Sequence, residues 1–291
     1  MSTIVLLLVT GVGLGALYFL VASGLSLIYG LMGVLNFAHG SFLTLGAFAG
    51  WAVAQALGTR SWLGFVLALL AGAAVGAVAA ALTELLLVRR LYERHIEQVL
   101  VTVGLSLASV ALFEGIWGSD AEFISGPAWL ESTTSVLGAP VPNDRFLAVA
   151  VGAAVLGAIV LFLRRTRYGL IIRAGVENRA MVTALGIDVR KAFTLVFAVG
   201  GAAAGLGGVL ASQYFGYVSP HLGASLLIFA FIVTVIGGLG SLTGAAVASV
   251  VVAVLQQVTN YYWGYGDLVV VLLLALVLLV RPSGLLGRSA R

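Results

Sequence analysis

The sequence predicts an all-α, polytopic membrane protein with about eight or nine transmembrane helices and a short helix in a cytoplasmic loop. Of its 291 residues, 61% are hydrophobic and 9% are charged, and the mean hydropathy is +1.14. Soluble domains are roughly half apolar and about a quarter charged. No charged residue precedes Arg60, and Asp267 is the sole charged residue between Lys191 and Arg281. Several spans of about 20 apolar residues fit into these stretches.

The spans are expected to be helices, because strands of a membrane barrel are about ten residues long and alternate in polarity. The first, 4–28, starts without a basic segment, which is typical of a retained span and not of a cleaved signal peptide. We interpret 1–291 as a single transmembrane domain. The further uncharged stretches are 41–57, 61–83, 99–113, 146–163, 192–214, 224–239, 243–260 and 268–280.

Basic residues predict the orientation. Thirteen of the fifteen lie in 89–94, in the loop 164–191 and in 281–291. The positive-inside rule places these three segments in the cytoplasm. The mostly acidic segment 118–145 is then an outer loop, and an even number of crossings after Lys191 puts the N-terminus outside and the C-terminus inside. Because the membrane topology explains where the basic residues lie, no nucleic-acid partner is expected.

Small residues at four-residue spacing predict close helix packing. Glycine weakens an isolated helix but lets two helices approach each other in lipid. Such ridges serve any helix bundle, so they predict a tightly packed body and no particular activity. The ridge residues are Gly72, Gly76 and Ala80, then Gly200, Ala204 and Gly208, and Gly201 with Gly205.

The sequence offers no catalytic residue and no metal ligand set. It has no cysteine, three histidines, and neither an H-E-x-x-H nor a G-x-S-x-G motif. The glycine-rich strings at Gly11 and Gly237 lack the Gly-Lys-Ser/Thr of a phosphate loop, so this chain is not expected to hydrolyse ATP. Glu84 and Glu114 lie near predicted helix ends, either at the interface or bonded to neighbours; a proton relay is the alternative.

Two polar, glycine-rich breaks, 29–46 and 237–244, interrupt the apolar pattern. Irregular backbone at membrane depth survives only where protein or water covers it, and breaks in both halves of a transporter point to the substrate path. The alternative for each break is an ordinary turn or helix cap at the membrane face, and for His39 a histidine bonded to backbone. The predicted path residues in and beside the breaks are Asn36, His39, Ser41, Thr234 and Gly237.

The long inner loop 164–191 contains a predicted short helix over 179–185. Asn178 can cap its start, and Gly186 suits the left-handed position after its end. An apolar face on a cytoplasmic helix predicts a protein partner; the alternative is a helix lying on lipid headgroups. That face contains Met181, Ala184 and Leu185, with Arg173, Glu177 and Arg179 nearby.

Four stretches of the chain resemble the permease subunits of branched-chain amino acid ABC importers, the LivH type. They are GLSLIYGLMGVLNFAHGSFLTLGAF (24–48), RYGLIIRAGVENRAMVTALGIDVRKAF (167–193), VIGGLGSLTGA (235–245) and RPSGLLG (281–287). The resemblance implies a multi-pass permease of the bacterial inner membrane that transports and is not an enzyme. It implies that 173–188 couples to the ATPase, through Arg173, Glu177, Asn178, Arg179, Met181, Leu185 and Gly186.

The resemblance also implies partners. They are a LivM-like second permease, two LivG- and LivF-like ATP-binding subunits, and an extracytoplasmic substrate-binding protein. ATP and Mg would bind to the ATPase subunits, and no cofactor is expected on this chain. The translocation path would run between the two permeases, surrounded by membrane lipid.

Two departures from the family pattern concern the coupling helix and the path. Many relatives have a glutamate where Ala180 stands, and many have Lys-Ala-Phe where this chain has Phe229-Ala230-Phe231. Phe229 therefore joins the predicted path residues. The expected solute is a branched-chain or other hydrophobic amino acid, moved by alternating access. The alternatives are urea, amides or small aromatic or carboxylic acids as cargo, an ATP-independent secondary transporter or channel, and a membrane-embedded enzyme.

Overall fold

The computed structural model describes residues 2–33, 35–92, 94–177, 179–184, 186 and 188–286. The all-α prediction is confirmed, since helices make up most of these ranges. The helices are α1 (Ser2–Met32), α2 (His39–Leu57), α3 (Trp62–Leu86), α4 (His95–Trp117), α5 (Asn143–Arg165), α6 (Arg167–Glu177), α7 (Arg179–Ala184), α8 (Val189–Phe215), α9 (Leu222–Gly237), α10 (Leu242–Trp263) and α11 (Gly266–Val280). The short strands are β1 (Glu122–Phe123), β2 (Thr133–Val136), β3 (Ala139–Pro142) and β4 (Tyr217–Val218).

Seven of the described helices, α1 to α5, α8 and α10, are long and apolar enough to cross a membrane. Two shorter apolar helices, α9 and α11, have 16 and 15 residues. At 1.5 Å per residue, the shorter of these covers about 22 Å, somewhat less than a typical hydrocarbon core. The chain is a multi-pass membrane protein, and its nine described apolar helices correspond to the nine uncharged stretches of the sequence.

The bundle has two chemically different ends. The basic end carries a 3-10 turn (Val88–Leu91) with two arginines, together with α6, α7 and the start of α8. The hairpin end carries the antiparallel pairs β2–β3 and β1–β4. The sequence predicted 118–145 only as a polar outer loop; these strands are two to four residues long, too short to leave a periodic pattern.

α8 lies at the centre of the bundle and packs against α1, α2 and α3. The predicted ridges meet here, because Gly201 and Gly205 of α8 face Gly72 and Gly76 of α3. A Cβ atom on Gly205 would overlap the carbonyl oxygen of Gly72 and would lie 3.1 Å from the Cα of Gly76. The small-residue spacing therefore does produce the close helix contact that the sequence predicted.

The first break of the sequence is shorter than predicted, and it lies inside the bundle. α1 stays helical to Met32, so the described irregular backbone is confined to the segment before α2. That segment returns into the bundle, and the Nε2–H of His39 donates to the carbonyl oxygen of Val21 at 3.2 Å. Val21 precedes the end of α1 by 11 residues, or about 16 Å along the helix. α2 therefore begins inside the bundle.

α9 begins at the opposite, hairpin end, after exposed His221, and the buried side of its first turn reaches the start of α2. Its Gly223 N–H donates to the hydroxyl of Thr44 in α2 at 2.9 Å, and the backbones touch at Gly40 and Gly223. The starts of these two helices therefore meet in the interior. The second break of the sequence, by contrast, is the turn between α9 and α10, where the hydroxyl of Ser241 accepts from the N–H of Gly244. Of the two alternatives for 237–244, the structure has the turn.

Candidate functional site

The predicted path residues Asn36, His39 and Ser41 lie in the packed interior at the start of α2. Asn36 Oδ1 accepts from the N–H of Ala38 at 3.1 Å, and the ring of His39 packs edge-on against Phe42. Three buried atoms of this turn, Asn36 Nδ2, His39 Nδ1 and Ser41 Oγ, have no hydrogen-bond partner among the described residues. Because buried polar atoms are usually hydrogen-bonded, these three unpaired atoms make the turn an unusual polar site within an apolar bundle.

Thr234 and Gly237 lie at the other end of α9, at the basic end of the bundle. The Thr234 hydroxyl donates to the carbonyl of Ala230 within its own helix, and Gly237 packs against the backbone of Gly244. The turn after Gly237 touches α1, because a Cβ on Gly30 would lie 2.9 Å from the Cα of Gly240. The structure thus brings the two sequence breaks together at Gly30 and Gly240, but the predicted side chains do not converge on one point.

The C-terminal motif supports the same turn. The N–H groups of Leu285 and Leu286 donate to the carbonyls of Ile236 and Gly237 at 2.8 and 3.1 Å. Gly284, at φ +77°, lies against Gly238. These bonds satisfy carbonyl groups at the end of α9, which would otherwise lack partners. The described part of 281–287 is therefore a cap on α9.

A cavity of about 400 Å³ opens at the hairpin end between α1, α8, α9, α10 and α11. Phe229 is the one predicted path residue in its wall. The Phe229 ring stacks on Tyr18 of α1, with 5.2 Å between centroids and 9° between planes. Other lining residues are Leu14, Leu222 and Leu226 at depth and Ser219, His221, Ser225, Gln257, Asn260 and Asp267 toward the opening.

A hydrogen-bond chain runs from the floor of this cavity to its rim. The Tyr18 hydroxyl donates to Gln256 Oε1 at 2.7 Å, and Gln256 Nε2 donates to Asp267 Oδ1 at 2.7 Å. Tyr18 is only 2% exposed, whereas Asp267 is exposed. Linked hydrogen bonds polarise one another, so this chain fixes the carboxylate at the start of α11.

Behind the cavity wall, Arg145 lies over the ring of Tyr214, with its guanidinium carbon 3.2 Å from the centroid. The same guanidinium binds Asp144 at 2.7 Å, which neutralises its charge. Tyr214 separates Arg145 from the cavity. At the rim, His221 lies 3.0 Å from Glu114. Asp267 is therefore the only Asp, Glu, Lys or Arg among the residues that line the cavity.

At the basic end, the fully buried carboxylate of Glu84 collects four donors. Arg89 binds it through Nε at 3.2 Å and Nη2 at 3.4 Å, Thr194 donates its hydroxyl at 2.7 Å, and Tyr92 donates through a short bond. Of the alternatives for Glu84, the structure has the one bonded to neighbours. Burial, and secondarily the bond to Glu84, raises the pKa of Tyr92, so Tyr92 remains protonated. The cluster ties the end of α3 to the start of α8.

The predicted coupling residues lie in and around α6 and α7. Asn178 and Leu185 fall outside the described residues, while Glu177 ends α6 and Arg179 begins α7. Gly186 has φ +77°, the left-handed conformation that the sequence predicted. Within α7, Met181 is 61% exposed and Val182 is buried.

Sequence reasoning missed the helix α6, which contains Arg173. Its two faces differ, since Ile172 is buried while Leu170 and Arg173 are exposed. The Arg173 Nε–H reaches the carbonyl of Gly169 at 3.4 Å. Three arginines in 164–167 interrupt the apolar residues at its start, so this helix does not appear in the sequence as an uncharged stretch.

Sequence reasoning also missed Tyr18 and Gln256 as cavity residues. Their contact joins positions 238 residues apart, and no local pattern indicates such a pair. Asp267 did stand out, as the sole charged residue between Lys191 and Arg281, but its partner could not be predicted from the sequence.

Comparison with known proteins identifies the family of this chain. The chain matches the model described as branched-chain amino acid transport system, permease component, over residues 7–281. It is 30% identical to the high-affinity branched-chain amino acid transport system permease protein LivH of Salmonella typhimurium, over 96% of this chain and 94% of that protein. It is 28% identical to BraD of Pseudomonas aeruginosa, over 97% and 95% of the two chains.

A second kind of permease also matches, namely LivM of Escherichia coli K12, at 24% identity over 93% of this chain and 68% of LivM. No solved structure matches the chain significantly. The resemblance seen in four stretches of the sequence is thus confirmed over nearly its full length. This chain belongs to the family of permease components of branched-chain amino acid transport systems.

Proposed function

We propose that this chain is the permease subunit of an ABC importer that moves branched-chain or other hydrophobic amino acids across the bacterial cytoplasmic membrane. The observation that carries the proposal is the match to LivH over 96% of the chain. LivH and BraD are both named as permeases of high-affinity branched-chain amino acid transport. The proposal extends that solute class to this chain.

The energy source is assigned to partner subunits. The sequence has no phosphate loop, so two LivG- and LivF-like subunits would bind ATP and Mg and hydrolyse the nucleotide. The match to LivM supports a related second permease beside this one. ATP binding can reorient such a pair only if it favours one conformation over the other, which requires a mechanical contact between the ATPases and the permease.

α7 is the proposed contact. Buried Val182 anchors it to the protein, whereas the apolar side chain of Met181 is mostly exposed. α7 packs on α6 and on the start of α8, the central helix of the bundle. A force applied to α7 therefore reaches the helix that touches α1, α2 and α3.

The proposed orientation follows from the charges. The basic end faces the cytoplasm and the ATPases, in accordance with the positive-inside rule. The N-terminus then lies outside and the C-terminus inside. The hairpin end faces the extracytoplasmic substrate-binding protein, and the cavity opens toward it.

The test is co-purification and uptake with Met181→Arg, after co-expression with the ATPases, the second permease and the binding protein. A buried arginine without a partner would weaken docking, so we expect loss of ATPase co-purification and of ATP-dependent leucine uptake. The matched control is Leu137→Arg in the β2–β3 turn, which is 84% exposed at the opposite end and should retain the ATPases. Intact docking of Met181→Arg would contradict the coupling role.

The wild-type complex in proteoliposomes tests the function itself. Leucine uptake should require ATP, and uptake without ATP would indicate a secondary transporter or channel. A competition panel of amino acids, urea, amides and small carboxylic acids identifies the cargo. Competition by a non-amino acid alone would overturn the proposed solute class.

A further inference from the structure

The hairpin-end cavity has the size and layering of a small-solute site. Pockets for small ligands range over about 300–1,000 Å³, and this one measures about 400 Å³. Its deeper wall consists of buried Leu14, Leu222 and Leu226 beside Tyr18. Its opening carries hydroxyl, amide and carboxylate groups. An aliphatic body fits below, and a polar head fits above.

The charge at the rim sets which head group is favoured. Asp267 is the only formally charged acid or base in the lining, and Gln256 holds one of its oxygens at 2.7 Å. His221 at the same rim is already paired with Glu114. A solute carboxylate placed next to Asp267 would be repelled, whereas an ammonium group would be attracted.

The walls favour the same head group. Five aromatic residues line the cavity, and a cation near an aromatic face gains further attraction. Phe229 stacks on Tyr18, whose hydroxyl begins the hydrogen-bond chain to Asp267, so aromatic rings lie beside that chain. The five aromatic residues are Tyr18, Tyr214, Phe215, Tyr217 and Phe229.

We propose that this cavity binds the solute directly, with Asp267 as the residue that recognises an ammonium group and Leu14, Leu222 and Leu226 as the receptor for an aliphatic chain. The inference rests on the proposed function, which identifies the solute as a transported one, and deepens it by naming a binding site within this one chain. Amino acids and simple aliphatic amines then bind more tightly than aliphatic acids without an amino group.

Binding to the purified full chain in nanodiscs tests the site without its partners. The probes are leucine, 3-methylbutylamine and 4-methylpentanoate, measured by saturation-transfer NMR. We expect the amine and leucine to bind at least roughly fivefold more tightly than the acid, from one partly exposed charge contact. Equal binding of acid and amine, or no binding of any probe, would overturn the proposal.

Variants locate the site. Asp267→Asn should abolish the preference for the amine, and Asp267→Glu should retain it. The control Glu122→Gln removes one carboxylate from exposed β1 at the same end, outside the cavity lining, and should change nothing. An unchanged preference in Asp267→Asn would place the site elsewhere. Uptake by the assembled complex separates the two proposals. If the complex takes up leucine with ATP but the cavity binds no probe, this inference alone is refuted. If the complex takes up no amino acid, the proposed function is refuted.

Discussion

Gly205→Ala is predicted to force apart the two helices at the centre of the bundle. A Cβ at this position would overlap the carbonyl oxygen of Gly72 and would lie 3.0 Å from its carbonyl carbon. On the next turn it would lie 3.1 Å from the Cα of Gly76. These obstacles are backbone atoms, which cannot rotate away as a side chain can. Relief therefore requires that α3 move away from α8 as a unit.

The magnitude follows from two opposing effects. An extra methyl group in a packed core costs about 1–3 kcal/mol, and the upper end applies where only backbone can yield. Alanine is favoured over glycine within a helix by about 1 kcal/mol. The net loss of unfolding free energy is thus about 2 kcal/mol. With an unfolding entropy of about 2.1 cal/mol/K per residue, that loss corresponds to a fall in melting temperature of roughly 3 °C for 291 residues.

The assay compares thermal unfolding of purified Gly205→Ala and Gly104→Ala in the same detergent. Gly104 lies in α4, and its Cβ would meet no atom within 4 Å, so only the favourable helix effect of alanine remains. We expect the control to be as stable as the wild type or slightly more so. Equal melting temperatures for the two variants would refute the account of the seam between α3 and α8.

Two further substitutions probe the polar contacts. Glu84→Leu removes the carboxylate that binds both Arg89 and Thr194. Because the Arg89 side chain is one-third exposed and can be hydrated by water instead, we expect the free energy of unfolding to fall by about 2 kcal/mol in thermal unfolding. An unchanged stability would show that the cluster is dispensable. Thr44→Val leaves the buried N–H of Gly223 without an acceptor and should lower the free energy of unfolding by about 1–3 kcal/mol. Thr44→Ser keeps a hydroxyl at this position and should retain most of the stability. Equal losses of stability in the two variants would disprove the role of this hydrogen bond.

The sequence predicted features that depend on composition and local spacing. Nine uncharged stretches became nine described apolar helices, since hydropathy alone decides which segments enter lipid. The ridges at Gly72 and Gly205 met because four-residue spacing puts small residues on one helix face. Gly186 took the left-handed conformation because only glycine adopts it without strain.

Depth and long-range pairing could not be predicted in this way. The segment before His39 is equally polar whether it lies at the membrane face or returns into the bundle, so hydropathy does not distinguish the two. The cavity depends on side chains from five helices, and its central bond joins Tyr18 to Gln256. Neither residue is exceptional in its own stretch of sequence.

α8 is the element that connects the two proposed sites. Its start follows α7 and is bonded to Glu84 through Thr194, while its end supplies Tyr214 and Phe215 to the cavity wall. A 27-residue helix spans about 40 Å, close to the full thickness of a bilayer. Because its glycines bring α8 into close backbone contact with three neighbouring helices, a displacement at one end of α8 would be carried along its length. A push on α7 would then reach the solute cavity through one helix, and Gly205→Ala, which disturbs that seam midway, should reduce uptake even at temperatures where the protein remains folded.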